Sequence, residues 1–212
     1  MKESKLLIQV AILRIILTLS ILYCFQIPVF LKIVVILWFI DNLDIDILKK
    51  KTGLSEKILG KTWSYQKIDK IADSVCYVIL LFYIVHNKLL SEDDTILLVG
   101  LLIFRLVGVS LFLQFHNRKY LFYFPNFFLE VSLGLFVIQY FSLFKYKIVI
   151  LVCIFIGKLI QEYIMHVRAN PFPDEEEEKK ILSRYSPSMK EMVWYKALYG
   201  GGGSGVGGLL WS

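Results

Sequence analysis

Two pairs of aspartates stand out in a chain that is otherwise largely apolar. The first is Asp41-Asn42-Leu43-Asp44, with Asp46 two residues further on. The second is Asp69-Lys70-Ile71-Ala72-Asp73. If both stretches are helical, Asp41 and Asp44 share one helix face, and Asp69 and Asp73 share another. Four carboxylates brought together repel one another, and a divalent cation removes that repulsion. Mg²⁺ takes oxygen ligands and is commonly held by a few carboxylates together with substrate phosphates. Two such ions about 3.5–4 Å apart can clamp a diphosphate and stabilise its leaving oxygen. A carboxylate nearby can take the proton of an attacking hydroxyl. The plainer alternative for any single Asp is an interfacial helix flank, and Asp69 near a helix N-terminus also complements the dipole.

Cations lie close to both pairs. Lys49, Lys67, Lys70 and Arg105 are the candidates for binding substrate phosphate, and Asp46 is a candidate additional metal ligand. Lys67 and Lys70 can equally anchor lipid headgroups. Arg105 sits in the middle of an apolar run, where it needs a cavity or an acidic partner such as Glu130.

The elements that must hold these groups follow from composition. Of the 212 residues, 57% are hydrophobic and 20% are charged. A soluble domain of this size has too little interior to hide so many apolar side chains, so most of the chain belongs in lipid. A secreted disulfide scaffold, a nucleic-acid-binding domain and most soluble enzymes are thereby excluded, and no nucleic-acid partner is expected. A helix crosses a bilayer with about 20 mainly apolar residues. Six segments approach this: residues 6–25, 29–43, 68–85, 96–115, 121–141 (interrupted by Pro125) and 148–165. They are continuous apolar runs, unlike the alternating strands of a membrane barrel. The expectation is an all-α integral membrane protein of six transmembrane helices. The first segment is read as a retained span, because no small-residue cleavage site follows it.

Orientation follows from Lys and Arg in the connections. Lys2 and Lys5, the run Lys49, Lys50, Lys51, Lys57, Lys61 and Lys67, and the pair Arg118 and Lys119 all fall on one side of six spans. The acidic Glu92-Asp93-Asp94 loop falls on the other, together with Lys145 and Lys147, which run weakly against the rule. Both termini and both Asp pairs are therefore expected at the cytoplasmic face.

With its pairs closing the second span and opening the third, the chain resembles the CDP-alcohol phosphotransferases. That family has six membrane helices and the signature D-x-x-D-G-x-x-A-R followed by G-x-x-x-D-x-x-x-D. Asp41, Asp44, Asp69 and Asp73 fit the four acidic positions, and residues 5–166 fit the layout. Ile45 and Tyr65 stand where the family has glycines, and Leu48-Lys49 stands for Ala-Arg. The resemblance implies that Asp41, Asp44, Asp69 and Asp73 hold two Mg²⁺ or Mn²⁺ ions, with Asp73 also the catalytic base. It implies transfer of a substituted phosphate group from a CDP-linked donor to an alcohol acceptor, with release of CMP, in phospholipid synthesis. Membrane lipid and a second copy of the chain are the expected partners. The replaced motif positions support an alternative, a catalytically inactive relative acting as a membrane scaffold or lipid-binding protein. A prenyltransferase-like enzyme and a transporter fit less well: the former usually has more spans, and the latter has paired broken helices.

Smaller features complete the reading. Cys24, Cys76 and Cys153 lie in apolar spans and are expected as small buried hydrophobes without disulfides. Lys158 and Glu162, spaced i, i+4, are expected to pair. His86, His116 and His166 sit at span ends, and Trp38 and Trp63 fit an aromatic belt. The membrane domain should cover residues 1–168. A cytoplasmic tail with an amphipathic helix should follow over 169–199, then a flexible Gly-rich end over 200–212.

Overall fold

The computed structural model describes residues 3–36, 46, 47, 63–117 and 119–164. Among these residues the chain is helical, with no strand. Helix α1 runs Glu3–Cys24, α2 Val29–Val35, α3 Trp63–His86 and α4 Glu92–Phe115. The short α5 (Lys119–Tyr123) leads into α6 (Phe128–Tyr140), and a 3-10 turn at Phe144–Tyr146 leads into α7 (Lys147–Tyr163). The remainder of the expected second span and the whole tail lie outside the described residues.

Local chemistry sets the boundaries. Pro28, which has no N–H to lose, caps α2 in an extended conformation (φ −52°, ψ 141°). Ser91 caps α4 by accepting from the Asp94 backbone N–H at 3.3 Å, and Glu92, Asp93 and Asp94 place acid in the first turn, where the dipole favours it. His116 ends α4 in the left-handed region at φ 53°. Pro125 divides the expected fifth span into α5 and α6. The break frees backbone carbonyls, and that of Phe124 accepts a 2.8 Å hydrogen bond from Arg105 Nη1. Arg105 therefore satisfies the broken helix, and Glu130 pairs with Lys158 instead.

Among the described residues, three stretches are long and apolar enough to cross a membrane: Leu7–Cys24, Glu92–Phe115 and Lys119–Tyr140. The 24-residue α3 is long enough, about 36 Å at 1.5 Å per residue. Its first turns, however, carry Lys67, Asp69, Lys70 and Asp73. Helix α7 has 17 residues, just short of a span. The bundle is apolar outside as well as inside. Ile96, Phe82, Ile148 and Val149 are all more than 60% exposed, a surface suited to lipid rather than water.

The core joins Leu22 of α1, Ile33 of α2, Leu80 and Ile84 of α3, Leu98 and Leu102 of α4, and Phe128, Val131 and Leu135 of α6. Helix α1 lies mainly along α3, α2 along α6, and α6 along α7. Two devices hold the seams. Lys32, buried in α2, donates to the Leu22 carbonyl at 2.6 Å and to the Tyr83 hydroxyl at 3.0 Å, so it ties the exposed C-terminal carbonyls of α1 to α3. Gly108 brings α4 against Phe124, leaving no room for a methyl group. Gly108→Ala should therefore lower stability by about 1–3 kcal/mol, as overpacking does. Gly100→Ala, with open space around it, should not. Thermal unfolding of both variants in detergent checks this contrast.

Candidate functional site

The i, i+4 spacing on α3 places Asp69 and Asp73 one turn apart on the face that meets α1. There they meet Arg14, which the apolar run of α1 had concealed. Arg14 Nη1 donates to Asp69 Oδ1 at 2.8 Å, and Nη2 donates to Asp73 Oδ1 at 2.5 Å. Lys70 Nζ donates to the other oxygens, Asp69 Oδ2 at 2.7 Å and Asp73 Oδ2 at 3.2 Å. The result is a ring in which each carboxylate bridges the same two cations. It is buried: Arg14 retains 3% of its surface and Asp73 5%. A narrow crevice beside it is lined by Val10, Ala11, Tyr65, Ile68 and Ala72, with Arg14 and Asp69 at its polar end. Further along the same seam Thr18 Oγ1 donates to Cys76 Sγ at 3.5 Å.

Arg105 approaches from α4. It is 4% exposed and lies close enough to Lys70 and Asp73 to act on both electrostatically. Of the expected phosphate-binding cations, Lys70 and Arg105 thus stand at the cluster. Lys67 is exposed, and so is Asp46. Asp41, Asp44 and Lys49 lie outside the described residues. Among the described residues no three His, Cys, Asp or Glu side chains group as a metal site.

A second buried pair joins α6 to α7. Lys158 Nζ lies 2.5 Å from Glu130 Oε1 and 3.2 Å from Glu162 Oε1. The i, i+4 pair is present as expected, and Glu130, expected as a partner for Arg105, belongs to Lys158 instead. Gln161 Oε1 accepts from the same ammonium at 3.2 Å. At the opposite end of α4, Lys147 pairs with Asp94 at 2.6 Å. The sequence had marked Asp94 only as part of an acidic loop.

The remaining expectations divide. Cys76 is buried, whereas Cys24 and Cys153 are exposed on the outer, apolar surface of the bundle; all three are free thiols. Trp63 packs on Phe112 and His116 with ring centroids 4.9 and 4.4 Å apart, so it serves the α3–α4 contact. His86 stacks on Phe82. His166 and Trp38 lie outside the described residues.

Arg14, Lys32 and the Glu130–Lys158 pair were missed in the sequence, yet one signal could have found them. A charged residue inside an apolar helix costs about 2.5–3.5 kcal/mol at the bilayer centre unless it finds a partner. Removing one member of a buried pair typically costs about 3–5 kcal/mol. Lys158→Met should therefore lower stability by about 3 kcal/mol, and Lys67→Met, at an exposed position, by less than about 0.5 kcal/mol. Thermal unfolding in detergent separates the two. Comparison with known proteins gives no matching family model, no matching curated protein and no matching solved structure.

Proposed function

We propose that this chain is a six-span integral membrane protein with both termini and the Asp cluster at the cytoplasmic face. Its proposed reaction transfers a substituted phosphate group from a CDP-linked donor to an alcohol acceptor, releasing CMP. The observation that carries this reading is the placement of Asp69 and Asp73 side by side, Asp73 buried and Asp69 nearly so, both bonded to Arg14 and Lys70. Carboxylates and cations kept together out of water suit a diphosphate substrate and the charge that builds on it.

Carboxylate oxygens are the donors that a hard divalent cation takes. Each of the four here already accepts from Arg14 or Lys70, so a bound cation would have to take the place of one of these partners. Asp41 and Asp44 would complete the set, with Asp46 as a further ligand. Mg²⁺ or Mn²⁺ held there would neutralise the diphosphate and its leaving oxygen.

The chain's own residues do the rest. Lys70 and Arg105, with Lys49 and Lys67 as further candidates, hold phosphate oxygens. Asp73 accepts the proton of the acceptor hydroxyl. That oxygen forms the new bond to the phosphorus bearing the transferred group. The bond from this phosphorus to the bridging oxygen breaks, and CMP departs with its electron pair.

A second reading is favoured by the same ring. Arg14 and Lys70 balance Asp69 and Asp73 without any added ion, as a purely structural cluster in a membrane scaffold or lipid-binding protein would.

One assay separates the two. Purified protein in phosphatidylcholine micelles with 10-millimolar-range Mg²⁺ is given CDP-diacylglycerol or CDP-ethanolamine, each with a panel of alcohols, and CMP is measured. Transfer predicts metal-dependent CMP release. Asp73→Asn should reduce it by at least about 10²-fold, the scale of a lost general base. Release that persists in the Asp41, Asp44, Asp69 and Asp73 quadruple Asn variant would overturn transfer at this site.

A further inference from the structure

The end of the bundle opposite the Asp cluster carries a second set of charges, and these stand at the mouth of a cavity. From Asp73 to His86, α3 climbs about 20 Å. Beyond its end, the α3–α4 and α6–α7 turns border a cavity of about 380 Å³ lined by Leu90, Ser91, Asp94, Ile138, Gln139 and Lys147. Gln139 also forms part of a neighbouring apolar groove of about 310 Å³, whose other walls include Val29, Phe30, Leu89 and Phe136. Each volume falls in the range of small-molecule sites. Both turns are closed by backbone hydrogen bonds that reach back over a full helical turn. Leu89 N–H donates to the Ile84 carbonyl at 3.1 Å, and Leu143 N–H donates to the Ile138 carbonyl at 2.8 Å. The walls are therefore set before any ligand arrives.

Depth and charge identify the occupant. Tyr140, Phe141, Phe144 and Tyr146 are each more than half exposed around the α6–α7 turn, as in an aromatic belt at the level of lipid headgroups. An apolar groove excludes water and takes apolar matter, which in a membrane is acyl chain. At the polar end Lys147 Nζ lies 2.6 Å from Asp94 Oδ1, with the side chains 31% and 15% exposed. Ser91 Oγ donates to Asp94 Oδ2 at 2.8 Å. An ion pair without excess charge suits a headgroup that carries both signs, whereas a purely anionic headgroup would meet Asp94 as a like charge. Lys147 keeps two N–H donors for a phosphate, and Asp94 uses two of the roughly four hydrogen bonds that a carboxylate can accept.

We propose that the joined cavity and groove bind a phospholipid with an ethanolamine-type headgroup. Its phosphate lies at Lys147, its primary ammonium at Asp94, and one acyl chain in the groove beside Phe30 and Phe136. The headgroup joins the ion pair rather than replacing it. A primary ammonium donates hydrogen bonds to Asp94, and a trimethylammonium has none to give. Gln139, at the junction, can donate to an ester carbonyl. The site is independent of the transfer reading and needs only that the bundle sit in a membrane.

Native mass spectrometry of the full-length protein in detergent, titrated with phospholipids of identical chains, tests this. The headgroups are ethanolamine, its N-methyl and N,N-dimethyl forms, choline and glycerol. The ethanolamine lipid should bind at least about tenfold more tightly than the choline or glycerol lipid, the scale of one hydrogen bond to a charged group, with the methylated forms between. Asp94→Asn should erase the difference between ethanolamine and choline. Val29→Trp, which fills the groove, should weaken every lipid by about tenfold. Soluble phosphoethanolamine should displace none of them. Size-exclusion elution and helical circular dichroism report folding, and the methylation series carries the test if a variant does not fold. Equal affinity across that series, preference for the glycerol lipid, or an ethanolamine preference that survives in folded Asp94→Asn would overturn the proposal. Displacement by soluble phosphoethanolamine as effective as that by lipid would overturn a lipid as the occupant.

Discussion

A single arginine in the first helix conditions the rest of the arrangement. Between helices in lipid the surroundings are as apolar as the side chains, so burying Leu or Ile discriminates little between one packing and another. A charge inside a span is different, because its cost is relieved only by a specific partner. Arg14 meets Asp69 and Asp73, 55 and 59 residues away, and this fixes which face of α3 turns toward α1 and at what height. The apolar contacts of Leu22, Leu80 and Ile84 then close around a register that the ions have already selected.

The same logic recurs at each seam. Lys32 ties α2 to the end of α1 and to Tyr83 of α3. Arg105 takes up the Phe124 carbonyl that the Pro125 break releases. Asn126, beside that break, donates to the Tyr77 hydroxyl at 2.8 Å, and Lys158 joins Glu130 to Glu162. Among the described residues, the serines Ser20, Ser74, Ser110 and Ser132 bond their own helix one turn back, whereas these charged and amide groups join different elements. Arg105 serves two sites: it completes the broken helix and adds positive charge beside Lys70 and Asp73. A substitution there therefore bears on both packing and the candidate site.

What could be read in the sequence was local. Helical spacing places Asp69 with Asp73 and Lys158 with Glu162, and Pro125 announces the division of the fifth apolar run. The acidic stretch Glu92-Asp93-Asp94, expected as an outer loop, instead forms the first turn of α4 behind the Ser91 cap. What could not be read was pairing at a distance. Arg14 looks like one cation in an apolar run, and its spacing to α3 carries no period. Glu130 had two cations to choose from. In the structure it pairs with Lys158 while Arg105 bonds the Phe124 carbonyl, and neither of these long-range pairings carries a period in the sequence. The cysteines show the same limit: an apolar span identifies a membrane helix but not which of its faces is inside, so Cys24 and Cys153 fall on the outer surface while Cys76 is covered.

The candidate chemistry stands on two carboxylates that are held rather than free. Whether the ring exists to bind a cation or only to join α1 to α3 is decided by what happens to it when a cation is supplied. The direct measurement is a structure of the full chain in lipid nanodiscs or a lipidic crystal with Mn²⁺ and a CDP-linked donor, the metal located by its anomalous scattering. The account predicts Mn²⁺ bonded to oxygens of both Asp69 and Asp73, in place of one of their present partners. A closed ring of Arg14, Lys70, Asp69 and Asp73 with no metal at saturating Mn²⁺ would contradict it.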